Sequence, residues 1–180
     1  MTDARSIPHA PCFVVSPHLI DPSGAIAVWW TDPPGAVMQL GEPTRGTTEM
    51  AEWLVGPAID RLLQRFPGTG ELRVILDMRQ MTGRSATARA LLMQCGKTVS
   101  RRLGQVVIVP SMLLGPTYIK IVEAAVLLVR MSGLRVEIEQ NVERVFTPGL
   151  RAAAPDAVDV TAGMIADPRA IQREHGPRLR

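Results

Sequence analysis

Hydrophobic residues in the first forty positions fall into short apolar runs, which are typical of β-strands. The runs occupy residues 12–15, 25–30 and 36–40, and turn-forming residues separate them. Between the first two runs, residues 21–24 (DPSG) have the composition of a type I turn. The pattern therefore predicts an antiparallel hairpin formed by the first two strands, followed by a third strand.

The next segment changes to a helical spacing of apolar residues. Thr47 or Thr48 can cap a helix, and Glu49 in its first turn complements the helix dipole. The apolar positions that follow recur at helical intervals, and they are Met50, Trp53, Leu54, Ala58, Leu62 and Phe66. Because Pro57 lies within this stripe and removes a backbone donor, we expect a kink or two short helices.

From residue 72 to residue 146, apolar strands alternate with helices. Strands are predicted at 72–76, 105–109 and 134–139, and helices are predicted to begin near Ser85, Pro116 and Asn141. We expect Gly104 to end the first of these helices. Such alternation favours parallel β-α-β units. The predicted fold class is therefore α/β, with a mixed β-sheet, an N-terminal antiparallel hairpin and helices packed on the sheet.

The two ends of the chain differ in composition from its centre. We expect residues 1–10 to be a flexible arm, residues 11–147 to form one α/β domain, and residues 148–180 to be a C-terminal tail containing proline and arginine. A chain of 180 residues can bury a full core without disulfides. It contains no apolar run as long as a membrane span (about 18 residues). With no signal-peptide pattern, we expect a soluble, cytoplasmic bacterial protein.

Charge is distributed unevenly along the chain. The formal net charge is +3, but residues 71–135 alone carry +7, and the flanking segments carry −3 and −1. A basic segment can attract nucleic acid, an anionic lipid or an acidic protein surface. Because aromatic residues are not interleaved with basic ones, we do not expect nucleic acid to be the partner.

Candidate catalytic and metal-binding residues are few. His9, His18 and His175 are dispersed, and Cys95 lies on the apolar stripe of a predicted helix. No pair of residues has metal-ligand spacing, and no nucleophile motif occurs. Residues 96–98 (GKT) lack the glycine-rich turn of a phosphate-binding loop. We therefore expect no catalytic residue, no metal and no cofactor, and we do not expect an enzyme.

Asp77 is the most informative acidic residue. It ends a predicted buried strand, where open α/β sheets place ligand-binding groups. The next helix has Ser85 and Thr87 in its first turn, so a carboxylate, two hydroxyls and free N–H groups would lie together at one rim. In the alternative interpretation, Asp77 only accepts hydrogen bonds from its own loop and Ser85 only caps the helix.

The helix predicted to begin at Pro116 is apolar on nearly all sides, although a helix packed on a sheet needs only one apolar stripe. If that stripe faces the sheet, Ile121, Ala124 and Leu128 face elsewhere. We expect them to be covered either by the C-terminal tail or by another subunit or partner. An apolar pocket beside this helix would instead indicate a module that binds a small molecule or a lipid.

The sequence resembles the STAS family over about residues 11–147. The resemblance is carried by RVILDMRQMTGRSATARALL, QVVIVPS and LRVEIEQNVERVF. The family includes anti-sigma-factor antagonists and a branch grouped with SEC14-type lipid-binding sequences. The resemblance implies a β-sheet with about four helices and a role as a non-catalytic switch or scaffold. It places a phosphorylation site at Thr87, where Arg84 and Arg89 flank the hydroxyl and could pair with a phosphate.

The function expected from these observations is a non-catalytic, STAS-like protein-interaction or regulatory module in a partner-switching signalling system. Its regulatory site would contain Asp77, Arg84, Ser85, Thr87 and Arg89. The expected partner is a regulator or a kinase-like protein, and a homodimer is the other possibility. The alternative function is the small-molecule or lipid-binding module already described.

Overall fold

A computed structural model describes residues 13, 15–67, 72–99, 103–131, 133–146 and 149–153. Within these residues, a mixed sheet of seven strands forms the centre of the molecule. The strands are β1 (Leu19–Ile20), β2 (Ile26–Asp32), β3 (Gly35–Leu40), β4 (Thr44–Gly46), β5 (Leu72–Asp77), β6 (Met81–Arg84), β7 (Leu103–Val109), β8 (Arg135–Ile138) and β9 (Arg151–Ala152). The helices are α1 (Thr48–Trp53), α2 (Ile59–Arg65), α3 (Ala86–Val99), α4 (Gly115–Arg130) and α5 (Val142–Val145). Strands β4 and β6 form a separate two-stranded sheet.

The large sheet has the strand order β1-β2-β3-β5-β7-β8, with β9 also paired to β2. Pairing is antiparallel among β1, β2 and β3 and between β2 and β9. It is parallel from β3 through β5 and β7 to β8. The predicted fold class is therefore confirmed: the sheet is mixed, it begins with antiparallel hairpins, and helices pack on it.

The first strand is not where the sequence pattern placed it. The partner of β2 is β1, whereas Phe13 in the predicted strand at 12–15 forms only an isolated bridge. The turn at 21–24 is present, since the Gly24 N–H donates to the Asp21 carbonyl at 2.8 Å. Because so tight a turn joins strands that are adjacent in sequence, the partner of β2 must lie immediately before Asp21.

Two further predictions in the β-α-β region were wrong. Gly104 does not end α3, because α3 stops at Val99 and Gly104 lies within β7. Residues 78–84, between the predicted strand at 72–76 and the predicted helix near Ser85, were not assigned a strand but contain β6, which pairs in parallel with β4. Both strands of this small sheet are short and lack alternating apolar residues, so no local pattern announces them.

The helix starts follow the sequence signals closely. Thr47 caps α1 by accepting a hydrogen bond from the Met50 N–H at 3.3 Å, and Asn141 caps α5 by accepting one from the Glu143 N–H at 2.9 Å. The expected kink at Pro57 is a π-helical turn (Leu54–Ala58) between α1 and α2. This turn absorbs the missing proline donor without ending the helical segment.

Both faces of the sheet are buried. Helices α1, α2 and α4 contribute to a core on one face, which we term the helical face, and Val28, Met38 and Val74 of the sheet belong to it. A second core on the opposite face contains Trp29 and Ile75, together with residues of α5 and of the segment around β9. Burial on both faces explains the nearly continuous apolar runs of these strands.

The ordered sheet extends beyond residue 147, the expected end of the domain. Strand β9 pairs with the end of β2 through Thr31 and Ala152, and the Ala153 N–H donates to the Trp30 carbonyl at 2.8 Å. Leu150 is buried in the second core. Residues 149–153 are therefore part of the folded unit and not of the tail.

Candidate functional site

An apolar cavity lies between the helical face of the sheet and the helices packed on it. Its volume is about 180 Å³. Val74, Val106 and Val136 form part of its floor on the central strands, and α1, α3 and α4 form its walls. The parallel arrangement of β5, β7 and β8 places these side chains side by side, because residues in register point to the same face.

Small and flexible side chains leave this space open. Ala88 on α3 and Ala125 on α4 line the cavity where larger residues would fill it. Five methionines also line it, namely Met38, Met50, Met78, Met81 and Met93. Unbranched thioether side chains adapt their shape to irregular gaps and to bound groups. The lining is therefore suited to an apolar occupant whose shape is not rigidly matched in advance.

Asp77 lies at the carboxyl end of β5 and lines the cavity, but its charge is already paired. Its side chain is buried, and both carboxylate oxygens accept hydrogen bonds from the Arg79 guanidinium, at 2.9 Å from Nε and 2.7 Å from Nη2. The Arg79 N–H and the Gln39 amide also donate to this carboxylate, at 3.3 and 3.4 Å. This geometry agrees with the alternative interpretation, in which Asp77 accepts hydrogen bonds from its own loop.

Arg84 and Arg89 differ from Arg79, because no described residue forms such an ion pair with them. Both line the cavity, and the Nε atom of each is buried without a hydrogen-bond partner within the described ranges. The Arg84 guanidinium carbon lies 5.6 Å from the centre of the Tyr118 ring. Burial lowers the pKa of Arg84, Tyr118 opposes this shift, and the neighbouring positive charge of Arg89 lowers the pKa further.

The structure separates the other two residues of the expected regulatory site. Ser85 caps α3, because its hydroxyl accepts a hydrogen bond from the Ala88 N–H at 3.0 Å and lies 3.4 Å from the Thr48 hydroxyl. Thr87 is exposed in the first turn of α3 and does not belong to the cavity lining. Asp77, Arg84 and Arg89 thus share the cavity, whereas Ser85 has a capping role and Thr87 faces solvent.

The outer side of α4 is exposed and apolar. Ile121 is 40% exposed and Leu128 is 51% exposed, and Ala124 between them is also exposed. Leu127 and Met131 extend this surface, with exposures of 61% and 78%. The three residues singled out in the sequence therefore lie away from the core. That the C-terminal tail, another subunit or a partner covers them stays a prediction.

Sequence reasoning missed three groups that shape this site: Arg79, Gln39 and Tyr118. A signal for Arg79 was present, because a basic residue two positions after an acid at a strand end can fold back onto it. Gln39 and Tyr118 come from distant parts of the chain, and only the tertiary fold brings them to the cavity. No spacing rule links them to Asp77 or to Arg84.

Of the three histidines in the sequence, the structure describes His18. His18 is held by the backbone, since its Nδ1 accepts a hydrogen bond from the Trp30 N–H at 3.2 Å and its Nε2 lies 3.1 Å from the Ala153 carbonyl. His9, His175 and Cys12 lie outside the described residues, as does the side chain of Cys95. Within the described part, no cluster of three potential metal ligands occurs, and no helix is both long and apolar enough to span a bilayer.

Comparison with known proteins identifies similarity at the level of solved structures. No family model matches the chain, and no curated protein matches it. A similar solved structure is that of an uncharacterized DUF3478-family protein with a SpoIIAA-like fold from Shewanella loihica PV-4. It is 15% identical, the match covers 66% of this chain and 86% of that chain, and the TM-score is 0.48. A likeness this distant says nothing about the site.

Proposed function

We propose that this protein is a non-catalytic, STAS-like regulatory module that binds a small apolar molecule in the cavity between the sheet and its helices. The observation that carries this proposal is the cavity itself, with its volume of about 180 Å³ and its largely aliphatic and methionine lining. An engineered apolar cavity of about 150 Å³ is large enough to hold benzene. The occupant would therefore be an aromatic ring or a short alkyl chain.

A space of this size between packed elements is unusual in a close-packed interior. Side chains that face this space lack packing partners on that side, and a bound apolar group would supply those contacts. Binding would thus be coupled to the stability of the helices that cover the sheet, as a regulatory module requires.

The pairing of Asp77 also favours a cavity ligand over a partner docked on the rim. The carboxylate expected to face a partner is 1% exposed and is neutralised by Arg79. A buried, paired charge offers little to a docking protein. Cavity binding needs no exposed carboxylate.

Native mass spectrometry of gently purified protein first tests whether a ligand is retained. The full chain is then titrated with toluene while amide NMR shifts are recorded. We expect saturable shifts at residues of the cavity lining. The variant Ala125→Phe fills the cavity and should weaken toluene binding at least tenfold. The matched control is Ala124→Phe, which adds the same ring to an exposed position on the same helix and should bind as the wild type does. Absence of saturable binding to the wild type, or full binding to a folded Ala125→Phe variant, would contradict the proposal.

A second candidate function, protein interaction through α4, is favoured by a separate observation. Leu127, Leu128 and Met131 are each more than half exposed on one helix. Contiguous apolar patches of this kind mark interaction sites. The partner would be a second copy of the chain, or a regulator or kinase-like protein.

Sedimentation velocity can distinguish these partners. If a second copy covers α4, the wild type sediments as a dimer and the double variant Leu127→Glu/Leu128→Glu sediments as a monomer. Lys120→Glu, which adds negative charge elsewhere on the exposed surface of α4, is the matched control and should stay dimeric. A monomeric wild type that co-purifies with no protein from its native host would contradict the interaction function.

Phosphorylation of Thr87 is a further expectation from the STAS resemblance. Its exposed position in the first turn of α3 leaves the hydroxyl accessible. A phosphate there would add nearly two negative charges near a helix N-terminus, where they are stabilised. Mass spectrometry of protein isolated from its native host tests this, and complete absence of the modification under all growth conditions would count against it.

A further inference from the structure

The charges of the side chains that line the apolar cavity do not sum to zero. The acidic and basic residues in the lining are Asp77, Arg84 and Arg89. Asp77 is neutralised by Arg79 from outside the lining. Among the described residues, no acidic side chain forms an ion pair with the two remaining guanidiniums, which therefore give the cavity wall a positive charge.

The arrangement of Arg84 and Arg89 makes this charge costly unless an anion approaches. Arg84 and Arg89 line the same cavity, and the positive charge of Arg89 lowers the pKa of Arg84. A buried N–H group without a partner also carries a desolvation cost, and no residue in the described part of the chain accepts a hydrogen bond from the Nε–H of either arginine. An anion between the two side chains would offset both effects.

Guanidinium groups are matched to carboxylates in particular. The planar fork of Nε–H and Nη–H donors can bind both oxygens of one carboxylate, which gives short and strong hydrogen bonds. Both arginines are only half-buried, so an anionic group held by them would lie at the edge of the cavity. An apolar body attached to that group would extend inward over the aliphatic floor.

We propose that the molecule bound in the cavity is a small amphipathic carboxylate, with a short alkyl or aryl body inside the cavity and its carboxylate ion-paired with Arg84 and Arg89. This inference rests on the proposed function and adds the chemical class of the ligand. Fatty acids of short chain length and arylacetic acids both belong to that class.

Another explanation for the unpaired charges is a purely structural role. In that case Arg84 packs on the face of Tyr118 as a cation–π contact, and Arg89 serves only to cover the helix. This alternative predicts no preference between an anionic ligand and a neutral ligand of the same shape. The two explanations are therefore separable by a matched pair of ligands.

Isothermal titration calorimetry of the full chain with hexanoate and with hexanamide provides this test, since the two differ by one charge at nearly equal size. We expect the wild type to bind hexanoate at least tenfold more tightly than hexanamide. The double variant Arg84→Gln/Arg89→Gln should lose at least tenfold in hexanoate affinity, while its hexanamide affinity should change by less than twofold. The control Arg61→Gln removes an exposed arginine outside the cavity lining and should alter neither affinity.

The outcomes separate this inference from the proposed function. Equal binding of the two ligands to the wild type would overturn the carboxylate assignment and leave the apolar cavity as a binding site. Failure of the wild type to bind hexanoate, hexanamide or toluene would overturn both. If the double variant does not fold, the preference of the wild type and its loss at high salt still decide the question, because an ion pair weakens with ionic strength and an apolar contact does not.

Discussion

At the scale of single residues, the Asp77–Arg79 pair shows how a charge can be present at a site without being available to a ligand. Two parallel hydrogen bonds hold the carboxylate, and the Arg79 side chain remains 24% exposed. The aspartate orients the loop that follows β5, and that loop in turn leads to β6 and α3. Its contribution to the site is therefore structural, through the position of Arg84 and the start of α3.

We expect Asp77→Ala to destabilise the protein by about 2–4 kcal/mol, because it leaves the Arg79 guanidinium and the Arg79 N–H without their acceptor. The loss should fall toward the lower end of this range, since the partly exposed Arg79 can turn into water. Urea unfolding followed by circular dichroism measures the change. The control Asp32→Ala, at an exposed position, should shift stability by less than about 0.5 kcal/mol. An equal effect of the two substitutions would show that the pair contributes no net stability.

The same residues show which parts of the site the sequence reveals. The position of Asp77 at a strand end followed directly from the apolar run before it and was predicted. The exposure of Ile121 and Leu128 followed from the excess of apolar positions on one helix. The pairing of Asp77 with Arg79 had a local signal in the sequence. Its hydrogen bond with the Gln39 amide could not be derived, because only the long-range pairing of β3 with β5 brings Gln39 to it.

At the scale of elements, local signals were reliable for helix starts and unreliable for short strands. Caps act through bonds to the next three residues, so Thr47, Ser85 and Asn141 could be identified from sequence alone. Strand β6 owes its existence to β4, which lies more than thirty residues earlier. Gly104 illustrates the ambiguity of glycine, because the same residue type suits a helix terminus and a strand end.

The two hydroxyl residues at the start of α3 should respond differently to substitution. We expect Ser85→Ala to cost about 1 kcal/mol, since it removes the hydrogen bond to the Ala88 N–H at the N-terminus of the helix. Thr87→Ala should change stability by less than about 0.5 kcal/mol, because its side chain is exposed and alanine favours helices. Chemical denaturation of the two variants measures the difference. Equal stabilities would show that capping by Ser85 is not important to α3.

At the scale of the whole molecule, the sheet joins two cores of different character. The helical face contains the cavity and the adaptable methionines, whereas the opposite face packs large aromatic side chains together. Trp29 lies against Phe13 with ring centres 5.9 Å apart, and Phe13 also contacts Phe146 at 6.3 Å. The second core can therefore stabilise the sheet while the first core leaves space for a ligand.

Truncation tests how far the folded unit extends. We expect a chain ending at residue 153 to keep the stability of the full chain to within about 1 kcal/mol. A chain ending at residue 147 should lose about 2–4 kcal/mol, because it removes buried Leu150 and Ala152 together with the β9 pairing. Thermal and urea unfolding of the two truncated chains measure this difference. Equal stability of the two would place the boundary of the domain at residue 147 after all.

The space beneath α3 and α4 also makes the volume of the molecule depend on its state. Unfolding admits water to the internal space, so the unfolded chain and its solvent together occupy less volume than the native protein. Hydrostatic compression therefore shifts the equilibrium toward the unfolded chain, and more so than in a protein of this size without such a space. An occupant that fills the space would reduce this response to compression, so high-pressure spectroscopy could detect occupancy without knowing what the occupant is.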